Sequence, residues 1–155
     1  MAETPLRGFE ISEFEDRLIR AQDRMREARV DALLLTTEPE VRYFSGFQTQ
    51  FWESPTRPWF LVVPLDGKPI AVIPGIGLAG MAATWIDDIH TWPAPRPADD
   101  GITLLQSVIE NLPKRHCRLG VPLGHESSLR MPAGDYQKLV NGLAGMEIVD
   151  VSLAL

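Results

Sequence analysis

Two apolar runs joined by a tight-turn dipeptide set the strongest limit on what this chain can fold into. Trp59-Phe60-Leu61-Val62-Val63 and Lys68-Pro69-Ile70-Ala71-Val72-Ile73 flank Asp66-Gly67. Asp-Gly supplies the positive φ that a short hairpin turn requires. So brief a connection cannot cross over a sheet, so the two strands are antiparallel neighbours. The other strand-like runs alternate with helix-like ones, which favours parallel pairing elsewhere. Together these demand an α/β fold with a mixed sheet.

The elements follow from periodicity and punctuation. Ser12 and Glu15 form an S-x-x-E capping box, predicting a helix start. Phe14, Leu18, Ala21, Met25 and Ala28 then recur at helical spacing, with charged residues on the other faces. Val30 to Leu35 reads as a buried strand. Thr37, Pro39 and Glu40 open a short helix, Glu40 to Phe44, closed by Ser45 and Gly46. After the hairpin come a short helix, Leu78 to Trp85, and a strand, Ile89 to Trp92. Pro93, Pro95 and Pro97 stiffen a loop; too little chain lies on either side for two cores. A helix carrying Leu104, Leu105, Val108, Ile109 and Leu112 ends at Pro113. A strand at 118–121, a helix at 135–143 and a strand at 147–151 complete a single three-layer domain, expected over 11–155. Residues 1–10, with Pro5 and Gly8, are expected to form a flexible lead-in.

Charge and composition narrow the function. The net charge is −6, the opposite of the basic footprint of nucleic-acid binding. No apolar run approaches the roughly 20 residues of a membrane helix, and no signal peptide is visible in MAETPLRGFE. The one cysteine, Cys117, excludes an internal disulfide and fits a reducing, cytoplasmic setting. Its neighbour His116 makes no catalytic dyad by adjacency alone, and Cys117 reads as a small residue opening a strand.

Motifs that carry chemistry are sparse. Gly75-x-Gly77-x-x-Gly80, with Asp99 and Asp100 further on, matches the dinucleotide fingerprint in outline. It follows the return arm of a hairpin, however, and Pro74 removes a backbone donor beside the turn. A plain glycine turn is the simpler reading. His90, His116 and His125 have no i, i+4 partner, and His125-Glu126 lacks the second histidine of H-E-x-x-H, since Leu129 stands there. Asp87, Asp88 and His90 read as a solvated turn. No serine has a G-x-S-x-G setting. The 47–58 loop stands apart. It gathers Phe47, Phe51, Trp52 and Trp59 with Gln48, Gln50, Glu53 and Arg57. Aromatics at this density pack either on their own core or on something outside the chain.

The strings VDALLLTTEPEVRYFSGF, PWFLVVPLDGKPIAVIP, LGVPLGHESSL and MEIVDVSLAL together resemble the N-terminal domain of creatinase, prolidase and Xaa-Pro aminopeptidase-like proteins. Tyr43-Phe44-Ser45-Gly46-Phe47 is the most specific part. The resemblance implies a six-stranded mixed sheet flanked by helices, similar to an RNase H-type layer. It implies a parent protein whose catalysis sits in a C-terminal pita-bread domain absent from this chain. There, in metallopeptidase members, two Asp, one His and two Glu hold two divalent metal ions; creatinase works without metal. No catalytic, cofactor or metal residue is then expected here, and the apolar end Val149 to Leu155 reads as a cut at a domain boundary. The resemblance further implies a homodimer in which the loop after the Tyr-x-x-Gly segment reaches the neighbour's substrate. Phe51, Trp52 and Arg57 occupy the matching region. The alternatives are a stand-alone interaction domain and a nucleotide-binding module built on Gly75, Gly77 and Gly80.

Overall fold

The computed structural model describes residues 8–54 and 57–154. Most of the lead-in expected over 1–10 therefore lies outside the described residues, as do two positions of the 47–58 loop.

Helix α1 (Ile11–Ala28) buries Phe14, Leu18, Ala21 and Met25, the stripe expected from spacing. Its start is one correction. The N-cap is Glu10, with no side-chain cap, and Ser12 lies inside the helix. The S-x-x-E match is thus coincidental: an N-cap must precede the helical turn whose N–H groups it serves. The second start holds. In α2 (Glu38–Ser45) the Glu40 carboxylate accepts the backbone N–H of Thr37 at 2.9 Å and of Thr36 at 3.1 Å, and Gly46 closes the helix at φ 72°.

Six strands make one mixed sheet: β1 (Ala32–Leu35), β2 (Phe60–Pro64), β3 (Ile70–Pro74), β4 (Asp88–Trp92), β5 (Arg118–Val121) and β6 (Glu147–Asp150), ordered β4-β3-β2-β1-β5-β6. The hairpin is as expected, with Phe60 opposite Val72 and Val62 opposite Ile70. β2 also pairs antiparallel with β1, whereas β1–β5, β5–β6 and β3–β4 are parallel. α3 (Leu78–Ala82) carries the crossover from β3 to β4, and α5 (Ala133–Gly142) that from β5 to β6. α4 (Ile102–Glu110) joins β4 to β5 across the sheet.

Both faces of the sheet are covered, which is why β1 to β3 read as apolar runs rather than alternations. Leu33, Leu35, Leu61, Val63 and Ile73 face α1, α2 and α3 in one cluster. Ala32, Leu34, Phe60, Val62 and Val72 face α4 and α5 in the other. Buried Asp31, just before β1, ties the layers at one end: its carboxylate accepts the backbone N–H groups of Arg115, His116 and Arg118. Among the described residues, no helix is long and apolar enough to cross a membrane.

Candidate functional site

The carboxyl ends of β1 and β5 lie side by side in parallel, and the 47–58 loop emerges beside them, because β2 begins opposite the end of β1 (Leu35 pairs with Leu61). In open α/β sheets this edge is where ligands and functional loops collect.

The loop divides its aromatics between inside and outside. Phe47, Trp52 and Trp59 belong to the core, with Trp59 fully buried. Their rings pack in sequence, with centroids 5.4 Å apart from Phe47 to Trp59 and 5.7 Å from Trp59 to Trp52. Of the two sequence readings, packing on the domain's own core holds for these three. The indole Nε1 atoms of Trp52 and Trp59 are buried with no hydrogen-bond partner among the described residues, so shape rather than polarity holds this cluster. Phe51 and Arg57 are different. Both are half-buried, and the Arg57 guanidinium lies 6.0 Å from the Phe51 ring centroid. Gln48, Gln50 and Glu53 are exposed. Of Phe51, Trp52 and Arg57, then, the fold leaves the first and last half-exposed, with Phe51 still packed against the core cluster, and buries Trp52.

The loop's carbonyls are held by a residue that the sequence did not single out. Arg130, between β5 and α5, donates from Nη2 to the Trp52 carbonyl at 3.1 Å and to the Ser54 carbonyl, and from Nη1 to the Arg57 carbonyl. Its guanidinium also lies 5.0 Å from the Trp52 ring centroid. The Arg130 backbone N–H donates to the Thr36 hydroxyl at 2.9 Å, fixing its own position on the end of β1. Burial lowers the Arg130 pKa from its ordinary value, and Glu38 opposes that by its charge. No local signal marks this residue: its partners lie 73 to 78 positions earlier in the chain.

The glycine motif serves packing. Gly75–Gly77 is a 3-10 turn, and α3 after it has only five residues. A Cβ on Gly77 would sit 2.3 Å from Trp59 Cζ3, and one on Gly80 would sit 3.0 Å from Phe47 Cε2. The space a dinucleotide would need at these two glycines is filled by the protein's own rings. The acids downstream are also spent. Asp99 accepts the Thr103 N–H at the start of α4, which lowers its pKa, and Asp100 accepts the Trp92 Nε1–H at 2.7 Å.

A second concavity lies along the same edge, toward β6. It is a cleft of about 570 Å³ lined by α1, α2 and the ends of β5 and β6, with Arg17, Arg20 and Arg24 on one wall. Arg17 is buried between Phe9 and Tyr43, 4.4 and 4.6 Å from their ring centroids, and pairs with Glu13 at 2.8 Å. A hydrogen bond to Tyr43 raises the Arg20 pKa. The carboxylate in this cleft, Glu40, is already engaged by backbone N–H groups. Arg24 pairs with Glu27 at 3.4 Å, so two of the three arginines on this wall are balanced by carboxylates. The cleft's serine hydroxyls, on Ser127 and Ser152, face each other at 3.3 Å with no histidine among the lining residues.

Among the described residues, no three of His, Cys, Asp and Glu converge as metal ligands. Asp87 pairs with Lys68 and Asp88 with His90. Cys117 is exposed, with φ 55°, immediately before β5.

Several solved structures share this fold. Dipeptidase PepE from Mycobacterium ulcerans aligns with a TM-score of 0.68 at 24% identity, over 95% of this chain and 36% of its own. A prolidase from Thermococcus sibiricus aligns with a TM-score of 0.71 at 15% identity, over 91% of this chain and 35% of its own. The present chain thus spans about a third of the length of these two proteins. The creatinase/prolidase N-terminal domain of an X-Pro dipeptidase from Streptococcus pyogenes aligns with a TM-score of 0.66 at 14% identity, over 89% of this chain and 95% of its own. No curated relative matches the chain. The model of the Creatinase/Prolidase N-terminal domain matches residues 17–155, and the chain belongs to that family.

Proposed function

We propose that this chain is the non-catalytic N-terminal domain of an Xaa-Pro dipeptidase-like hydrolase. In this reading it pairs with a second copy and lends its 47–58 loop to the neighbouring subunit's substrate pocket. The observation that carries the reading is the loop itself. Phe51 and Arg57 stand half-exposed on an edge braced from beneath by Trp52 and from behind by Arg130. A guanidinium is suited to a substrate carboxylate, which it binds bidentately. An aromatic wall is suited to a proline-like ring or a small cation. Trp52, being buried, acts as the floor of that wall rather than as a contact.

In this reading the two divalent ions that activate water belong to a C-terminal catalytic domain. The share of the longer relatives that this chain spans leaves room for such a domain. The lone exposed thiol, Cys117, is compatible with the reducing cytoplasm in which we place the protein.

The test is kinetic. Arg57→Ala in the complete enzyme is expected to lower kcat/KM for an Xaa-Pro dipeptide by about tenfold or more, mainly through KM. Unchanged kinetics would remove the loop from the substrate pocket.

A further inference from the structure

We propose that Arg130 is the positioning residue of the 47–58 loop, fixing the form in which Phe51 and Arg57 meet a carboxylate-bearing substrate. The inference rests on the substrate reading above and assigns its control to a residue on a different element.

The buried rings of Phe47, Trp52 and Trp59 anchor the loop to the core, but they leave the backbone beyond Trp52 without a ladder of its own. Among the described residues the loop's regular structure is one 3-10 turn, Gln50–Glu53, capped by the Thr49 hydroxyl. Pro55 and Pro58 have no N–H to donate to a neighbour. Its carbonyls at Trp52, Ser54 and Arg57 nonetheless turn inward, where an unpaired acceptor is costly. One guanidinium satisfies all three and lays its plane near the Trp52 ring. That combination needs the arginine fork: five donors in a plane, fixed charge and a flat face. A lysine ammonium offers charge and three donors on a flexible stem, without the plane.

The clamp is itself anchored. Leu129 and Met131, on either side of Arg130, pack on the core cluster beneath α4 and α5. The Arg130 N–H bond to Thr36, whose side chain is buried, completes the anchor. Arg130 therefore spans from a fixed backbone to the carbonyl side of the loop, and the residue it fixes most directly is Arg57, through that residue's own carbonyl.

The experiment compares Arg130→Ala and Arg130→Lys in two assays. The first is hydrogen–deuterium exchange of peptides covering 47–58, with α1 and β1 peptides as controls for global unfolding. Exchange across the loop is expected to accelerate about tenfold or more in both variants while α1 and β1 stay protected. Unchanged loop protection overturns the proposal, and full protection in Arg130→Lys overturns the need for the fork. The second assay is a kinetic double-mutant cycle with Arg57→Ala in the complete enzyme. Arg130→Ala is expected to raise KM about tenfold with a smaller change in kcat, and to add little once Arg57 is gone. Additive losses would show that Arg130 acts other than through Arg57, against the proposal. If the loop loosens but Arg57→Ala is kinetically silent, the substrate reading fails, and the presenting role with it, while the mechanical clamp stands.

Discussion

Replacing Gly77 by alanine is a direct test of why this glycine motif exists. The Gly77 backbone, at φ −87° and ψ −9°, suits any residue, so strain is not the issue. The issue is space. The new Cβ would lie 2.3 Å from Trp59 Cζ3, 2.9 Å from Cη2 and 3.2 Å from Ile73 Cδ1. Comfortable carbon–carbon contact is about 3.5–4.0 Å, so the nearest ring atom must retreat by roughly 1.2 Å. Trp59 has no solvent-exposed surface to retreat into and is wedged between Phe47 and Trp52. Overpacking of this kind costs about 1–3 kcal/mol. Alanine recovers up to ~1 kcal/mol in helix propensity, and less at a helix end. The net expectation is a loss of about 1–2 kcal/mol, or roughly 2–8 °C in Tm for a domain of this size, read by urea and thermal unfolding. Gly75→Ala is the matched control, since a Cβ there meets only the Trp92 carbonyl oxygen at 3.5 Å; it should fall within about 0.5 kcal/mol of wild type. Introducing Trp59→Phe removes the obstructing ring atoms and an unpartnered indole N–H, so Gly77→Ala should cost less in that background. Equal stability of the Gly75 and Gly77 variants would refute the packing account and return the motif to ligand binding.

Asp31 gives a second test. Removing its buried carboxylate with Asp31→Ala strands the N–H groups of Arg115, His116 and Arg118 and should cost about 2–3 kcal/mol by urea unfolding, with Asp31→Asn milder; a loss below roughly 0.5 kcal/mol would show that water replaces the carboxylate freely. Asp150 gives a pH test. Hydrogen bonds from the Ser152 hydroxyl and the Leu123 and Ser152 N–H groups lower its pKa to about 2. A folded pKa below the unfolded value of about 3.9 means that its stabilising contribution is present above pH ~4 and is lost as pH falls toward 2. Asp150→Asn should therefore flatten part of the fall in Tm between those pH values, and an unaltered slope would exclude this carboxylate as a source of the acid sensitivity.

Much of the architecture was legible in order along the chain. The Asp66-Gly67 turn between two apolar runs dictated the antiparallel pair β2–β3, because four or five residues cannot cross a sheet. The Phe14-to-Met25 stripe dictated the buried face of α1, because helical spacing places those side chains on one side. Local residue patterns failed where the same letters serve two ends. Ser12-x-x-Glu15 spells a cap yet lies within a helix that Glu10 already opens, and Gly75-x-Gly77-x-x-Gly80 spells a phosphate cradle yet makes room for Trp59 and Phe47. The division of the loop's aromatics was not legible at all. Whether Trp52 is buried and Phe51 left half-exposed depends on Trp59, on β2 beginning opposite the end of β1, and on Arg130 arriving from the β5–α5 connection. Those contacts join positions far apart in sequence, and no spacing rule spans such distances. Helix periods, turn chemistry and charge are properties of neighbours, so the sequence by itself determines them; which side chains are left to face a substrate is decided only when distant segments pack.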